Sequence, residues 1–224
     1  VMEPGRESYS DTRAWLRSLP FAHIRPPGGL PPPDADPHRA FVAWLEAAAT
    51  GGIPEPHVGT LSTVDPDGTP QARVLMLRDV NELGWSVSGP DFSPKGRALH
   101  ANPKAALTFY WREQGRQVRI TGPARPAGHD AATRDFHNRS EIAQAVAMAS
   151  RQSEPLADER EYTDAVAAAQ QRLLDEPWLV PDHWQVWRIE ADSVEFWQAD
   201  PGRRHLRRRF TRAGGAWSAQ DLWP

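Results

Sequence analysis

The chain has 224 residues, 39% of them apolar and 25% charged, with a formal net charge of −3 and no cysteine. Such a composition excludes wholesale disorder and a general attraction to nucleic acid, and the absent cysteines exclude disulfides, thiolate metal sites and thiol nucleophiles. No run approaches 18 apolar residues and the first residues carry no secretory pattern, so no membrane partner is expected and a cytoplasmic protein is the reading.

Residues 1–37 hold eight of the 22 prolines. Proline removes backbone donors and fixes φ, so this stretch is expected as an extended arm, with one short helix near Asp11–Leu19. The arm either folds over a site or moves freely. Residues 38–224 are expected to form the single folded domain behind it.

Asp36-Pro37 is an N-cap and first-turn pair. Phe41, Trp44, Leu45 and Ala48 follow at helical spacing, and Gly51-Gly52 ends that helix. From His57 the period changes to that of strands. His57–Val64 and Gln71–Val80 read as a hairpin around Asp65-Pro66-Asp67-Gly68, and Gly84–Ser88 as a third strand. Ser93-Pro94 caps a short helix that Asn102-Pro103 stops. Ala105–Arg112 and Gln117–Ala124 are two further strands. Residues 129–175 read as two or three helices, and the chain closes on strands at Trp184–Glu190, Ser193–Gln198, Arg207–Arg212 and Trp217–Leu222. Hairpins with segregated helices mean an α+β, mainly β fold rather than a parallel βαβ sheet.

Few residues suggest chemistry by themselves. The eight histidines show no metal-ligand spacing, so no metal is expected. No nucleophile elbow and no glycine-rich phosphate loop occur. Lys95 and Arg97 fall in the first turn of a capped helix, where cations are unfavourable without an anionic partner. A solvated helix start is the plainer alternative. The run Arg203–Arg209 holds five arginines and a histidine. On a strand, Arg203, His205, Arg207 and Arg209 would share one face, lining an anionic pocket or, less simply, a nucleic-acid groove. The ten tryptophans divide between core filling, expected for Trp44 and Trp184, and contact with a flat ligand.

Taken in order, several segments resemble one family. They are Arg73-Val74-Leu75-Met76-Leu77-Arg78, Lys95-Gly96-Arg97 with Asn102-Pro103, Arg116-Gln117-Val118-Arg119-Ile120-Thr121-Gly122, Ser150-Arg151-Gln152-Ser153, Val194-Glu195-Phe196-Trp197-Gln198, Arg203-Arg204-His205, and the terminal Leu222-Trp223-Pro224. Their order and spacing are similar to those of the pyridoxamine 5′-phosphate oxidase family of FMN-dependent split β-barrels. The resemblance runs from about Phe41 to the last residue. It implies an antiparallel Greek-key split barrel with peripheral helices, acting as a homodimer that holds FMN between its subunits. The implied FMN contacts are Arg73, Val74, Leu75, Met76, Arg78, Ser88, Gly89, Lys95, Gln117, Gln152, Ser153, Trp197 and Arg207. Pro94 stands where the family often has a basic residue.

The substrate side departs from the family pattern. Positions that grip a substrate phosphate with Lys, Tyr, Arg and Ser correspond to Arg78, Asp135, Arg139 and Ala143. Asp135 adds a negative charge, and Ala143 removes a hydroxyl. Arg139 either meets a substrate anion or pairs with Asp135. Arg203 and His205, which the resemblance places over the substrate ring, are retained as the implied catalytic pair. Flavin chemistry on an altered small-molecule substrate, with O2 as acceptor, is the resulting expectation. A softer likeness, in Tyr110–Glu113 and Ser150–Glu154, is to the phenazine-biosynthesis oxidases of the family. Genuine pyridoxine or pyridoxamine 5′-phosphate oxidation and a non-catalytic flavin-binding role stand as alternatives.

Overall fold

The computed structural model describes residues 9–20, 24 and 26–224; within α1, the side chains of Tyr9 and Ser10 are outside the description. Six α-helices occur among them: α1 (Tyr9–Ser18), α2 (Pro37–Thr50), α3 (Pro94–Ala101), α4 (His129–His137), α5 (Glu141–Ala149) and α6 (Glu159–Asp175). Ten strands carry the fold: β1 (Val58–Val64), β2 (Pro70–Met76), β3 (Asp79–Asn81), β4 (Gly84–Pro90), β5 (Lys104–Trp111), β6 (Arg116–Pro126), β7 (Trp184–Ile189), β8 (Ser193–Gln198), β9 (Leu206–Ala213) and β10 (Ala216–Asp221). All pairings are antiparallel.

The order β10-β9-β8-β6-β5-β1-β2 forms one path, and β4 and β7 lead off it to β3. The branch lies on β6. Its first half pairs with β8, Thr121 facing Ser193, and its last residues pair with β7, Ala124 facing Ile189. Two residues of β6 (122–123) therefore oppose three (190–192), which is a β-bulge that bends the strand and raises its twist. Gly122 permits it: a Cβ there would lie 2.2 Å from the Glu190 carbonyl oxygen. Beyond the bulge β7 pairs with β4 and β8 with β9, so the curled sheet splits at this point. The architecture is an α+β split barrel.

Inside the curl, Leu61, Val87, Leu107, Val118, Ile120, Val194, Phe196 and Phe210 point inward from six strands and pack with Phe41, Trp44 and Ala48 of α2. Asp36 caps α2 by accepting from the backbone N–H of His38 and Arg39. Phe41 is fully buried, with its ring against Trp85, Phe109 and Trp111. Trp44 is core as expected, with the Arg116 guanidinium 4.3 Å over its ring. Part of the proline-rich stretch is laid on the barrel. Gln198 donates to the Gly28 carbonyl at 3.1 Å, Arg208 to that of Pro31 at 2.7 Å, and Arg116 to that of Pro27.

One expected strand and one expected row of side chains differ, while the strand expected at Arg207–Arg212 forms as β9. Gln71–Val80 is broken after Met76, because Leu77 N–H still bonds to His57 of the β1 side while Arg78 N–H bonds to Ser86 of β4. Arg78 thus marks the corner where the chain changes partner. The basic run is not one strand: β9 begins at Leu206, and Arg203 stands before it with φ +61°. Arg203 and His205 are turn residues, so the four-residue row on one strand face is replaced by Arg207 and Arg209 alone.

Phe41→Ala should destabilise the protein by about 3–5 kcal/mol, since the ring fills the junction of α2 with the barrel. Urea unfolding followed by tryptophan fluorescence measures this; a loss below 1 kcal/mol would mean that the junction repacks.

Candidate functional site

The first candidate cluster is built from the corner after β2, from β4, and from the start of α3. Lys95 lies in the first turn of α3, whose N-cap Ser93 accepts from Gly96 N–H at 3.3 Å. The Lys95 side chain is buried and donates to Ser93 Oγ at 3.1 Å and to Gln152 Oε1 at 2.7 Å. Burial, and then the neighbouring charge of Arg73, lowers its pKa to about 8. Arg73 itself donates to the Leu61 carbonyl and to Thr63 Oγ1, at 3.2 and 2.7 Å. Gly89 opposes the ammonium: a Cβ there would come within 2.4 Å of Lys95 Nζ. Two adjacent cations with neutral hydrogen-bond partners form a cradle suited to a phosphate.

A cavity of about 510 Å³ opens beside this cradle. Leu75, Met76, Arg78, Ser88, Gly89, Arg139, Ala143 and Trp184 line it together with Lys95 and Gln152. Ser153 is not brought in. It occupies a turn at φ +74° and lines a separate cavity with Glu161 and Tyr162.

The far wall differs from the sequence expectation. Asp135 does not stand as a free charge. Its buried carboxylate accepts from Arg78 Nε at 2.6 Å through one oxygen and from Trp184 Nε1 at 2.9 Å through the other. Nor does Arg139 bond to Asp135. Its guanidinium lies 4.7 Å over the Trp184 ring, and its Nε is buried without a hydrogen-bond partner. Burial lowers its pKa, with Asp135 opposing and Arg78 adding to the shift. Trp184, expected as plain core, is therefore a floor for Arg139 and a donor to Asp135. A tryptophan at the start of a strand gave no sequence signal for this role.

The second cluster sits elsewhere. Gln117, Trp197 and Arg207 face one another across β6, β8 and β9. Trp197 packs against His205 at 5.0 Å between ring centroids. His205 Nδ1 accepts from Asp200 N–H at 3.2 Å, which leaves the proton of a neutral imidazole on Nε2. Arg207 is held by a residue noticed only as part of a motif. Glu195 is buried and accepts from Arg207 Nε and Nη2, at 3.0 and 2.8 Å, and from Arg119 Nη2 at 2.8 Å. Arg207 also donates to the Trp223 carbonyl at 3.0 Å, tying the last residues of the chain to the cluster.

One registered row, Val74–Thr60–Thr108–Arg119–Glu195, crosses the sheet from the strand that carries Arg73 to the carboxylate that holds Arg207. Four strand spacings make that about 19 Å. One chain brings Arg73, Arg78, Ser88, Gly89, Lys95 and Gln152 together at one end. It brings Gln117, Trp197, His205 and Arg207 together at the other. Val74 and Met76 of β2 point outward, 69% and 45% exposed, on the same face as the 57%-exposed Tyr110 of β5.

A split barrel with a cationic cradle at one end and an aromatic–arginine cluster at the other defines a class of binding proteins suited to a ligand that carries a phosphate and a flat ring. Comparison with known proteins gives the particular family. Residues 45–173 match the pyridoxamine 5′-phosphate oxidase family, and residues 184–224 match the C-terminal dimerisation region of pyridoxine 5′-phosphate oxidase. The pyridoxine/pyridoxamine 5′-phosphate oxidase of Erythrobacter litoralis is 35% identical over 86% of this chain and 92% of that protein. That of Caulobacter vibrioides is 38% identical over 87% and 89%. The crystal structure of PhzG from Burkholderia lata, in complex with tetrahydrophenazine-1-carboxylic acid, superposes with a TM-score of 0.81 at 30% identity, over 87% of this chain and 94% of that one. The chain belongs to the pyridoxamine 5′-phosphate oxidase family. It is an oxidoreductase with FMN as its cofactor, and its C-terminal match supports a homodimer. Among the described residues no helix is long and apolar enough to cross a membrane.

An unfolded lysine titrates near 10.5 and Lys95 near 8, so between those values the unfolded chain holds the extra proton. Stability of the flavin-free protein should therefore rise by about 3 kcal/mol from pH 8 to 10.5 relative to Lys95→Met, which lacks the group. Denaturant unfolding of both proteins across that range provides the check. Parallel pH profiles would show that Lys95 is hydrated and not buried.

Proposed function

We propose that two copies of this chain each complete the other's site. The cradle around Lys95 and Arg73 in one protomer takes the FMN phosphate, and the Gln117–Trp197–Arg207 cluster of the partner protomer covers the same cofactor. The observation that supports this is that one chain holds the two clusters at different ends of its sheet, about four strand spacings (~19 Å) apart along the curl, with Val74, Met76 and Tyr110 left exposed on the outer face. When bound, FMN supplies a hydride acceptor that dioxygen regenerates. The chain supplies position and charge. Met76 offers apolar contact, Arg139, backed by Trp184, meets an anionic group of the substrate, and Arg203 and His205 orient its ring from the partner's edge. The Nε2 proton of His205 is the one available for donation to the substrate.

The substrate is a ring compound carrying a carboxylate, of the reduced phenazine type. Asp135 takes up one edge of Arg78, and Ala143 offers no hydroxyl, so Arg139 is the main cation left for an anion. That set suits a monoanion better than a phosphate dianion. PhzG, crystallised with such a carboxylate, has the similar fold. Oxidation of pyridoxine or pyridoxamine 5′-phosphate is the second reading. The names of the curated relatives at 35–38% identity favour it.

Three outcomes are expected. The purified protein should be yellow and release FMN on heating, and stopped-flow bleaching of its visible band should be at least about tenfold faster with a dihydrophenazine carboxylate than with pyridoxine 5′-phosphate. The reverse order would establish the second reading. Arg139→Gln should raise KM for the productive substrate about tenfold or more with kcat less affected, as a lost charge-assisted pair does. Tyr110→Asp should convert the dimer to monomer in sedimentation velocity and reduce FMN retention in parallel; a monomer that keeps its FMN would refute the shared site.

A further inference from the structure

Behind Arg78, on the side away from the FMN cradle, lies a second cavity of about 340 Å³. Arg78, Arg134, Arg188, Ser86, Asn81 and Asn138 are in its wall. Arg78 and Asn138 also line the larger cavity, so the two are separated only by the Arg78–Asp135 pair and its neighbours. The second cavity is rich in unmatched donors. Arg188 projects from β7, facing Ser86 of β4 in the ladder, and its Nε is buried with no hydrogen-bond partner. Arg134 comes from α4. Among the described residues neither Arg134 nor Arg188 makes a side-chain hydrogen bond or ion pair.

Two carboxylates are also present, and both are engaged. Asp135 is bonded to Arg78 and Trp184, and Asp79 accepts from Asn81 at 2.7 Å. Two guanidiniums without partners, one with its Nε desolvated, beside a third that is only edge-bonded, make an electrostatic deficit. The volume falls in the range of small-ligand pockets.

We propose that this rear cavity binds an oxyanion, either inorganic phosphate or the phosphate of a small phosphomonoester, between Arg134 and Arg188 and against the free edge of Arg78. Arg78 is the shared element. An anion behind it competes with Asp135 for the guanidinium and thereby alters the front cavity, and the front ligand alters the rear affinity by the same factor. The rear site goes beyond the oxidase reading and uses no catalytic residue other than Arg78.

The test is calorimetric titration of inorganic phosphate into the purified full chain, saturated with FMN to fill the Lys95 cradle. Saturable binding is expected, weakened about tenfold by Arg134→Gln and by Arg188→Gln and changed less than about twofold by Arg139→Gln. Arg134 is exposed, so Arg134→Gln keeps the test open even if Arg188→Gln impairs folding. A phenyl phosphate arm separates the sources: binding as tight as that of phosphate itself assigns the site to phosphomonoesters as well. Absence of saturable binding overturns the proposal. Loss of binding in Arg139→Gln, with Arg134→Gln behaving as wild type, overturns it too, because the anion would then sit in the front cavity.

Discussion

The close approach of β6 to the 190–192 bulge is the constraint on which the architecture rests. Gly122 leaves room for the Glu190 carbonyl, and one extra residue opposite it turns a continuous strand into β7 and β8. From there one branch carries β4 and the approach to α3, and the other carries β9 and the C-terminal residues. The cationic cradle and the aromatic–arginine cluster are thus products of a single branch point. Any side chain at 122 would force the two branches to part differently.

Charge placement follows the same economy. Several guanidiniums of the sheet are matched by a buried carboxylate. Glu195 satisfies Arg119 and Arg207 at once, and being buried it fixes them more firmly than a surface pair would. The buried carboxylate of Asp135 likewise holds Arg78. Lys95 and Arg139 are matched by no carboxylate. Both are desolvated and lack a carboxylate partner within hydrogen-bond distance, and both face the larger cavity. Unmatched buried cations are costly in an isolated protein, and that cost is offset when an anion arrives.

Much of this was legible in the residues. The N-cap pairs Asp36-Pro37 and Ser93-Pro94, the hairpin turn at Asp65–Gly68 and the alternation of β5 and β6 report local preferences, and each forms where its signal lies. The break after Met76 had no local cause, because Leu77 and Arg78 are bonded to different neighbouring strands. The basic run from Arg203 reads as a strand until its partner is known; β8 ends at Gln198, so only residues from Leu206 onward have a ladder to join.

What the sequence determined by itself is the set of elements, the family and the inventory of cations, since these depend on neighbours along the chain and on motif order. Which cations are matched was decided by the tertiary structure alone. Arg78 and Asp135 are 57 residues apart, and Arg119 and Glu195 are 76 apart. Only folding brings such groups within hydrogen-bond distance. A formal charge read from sequence therefore does not tell whether that charge faces a ligand or a partner already in place.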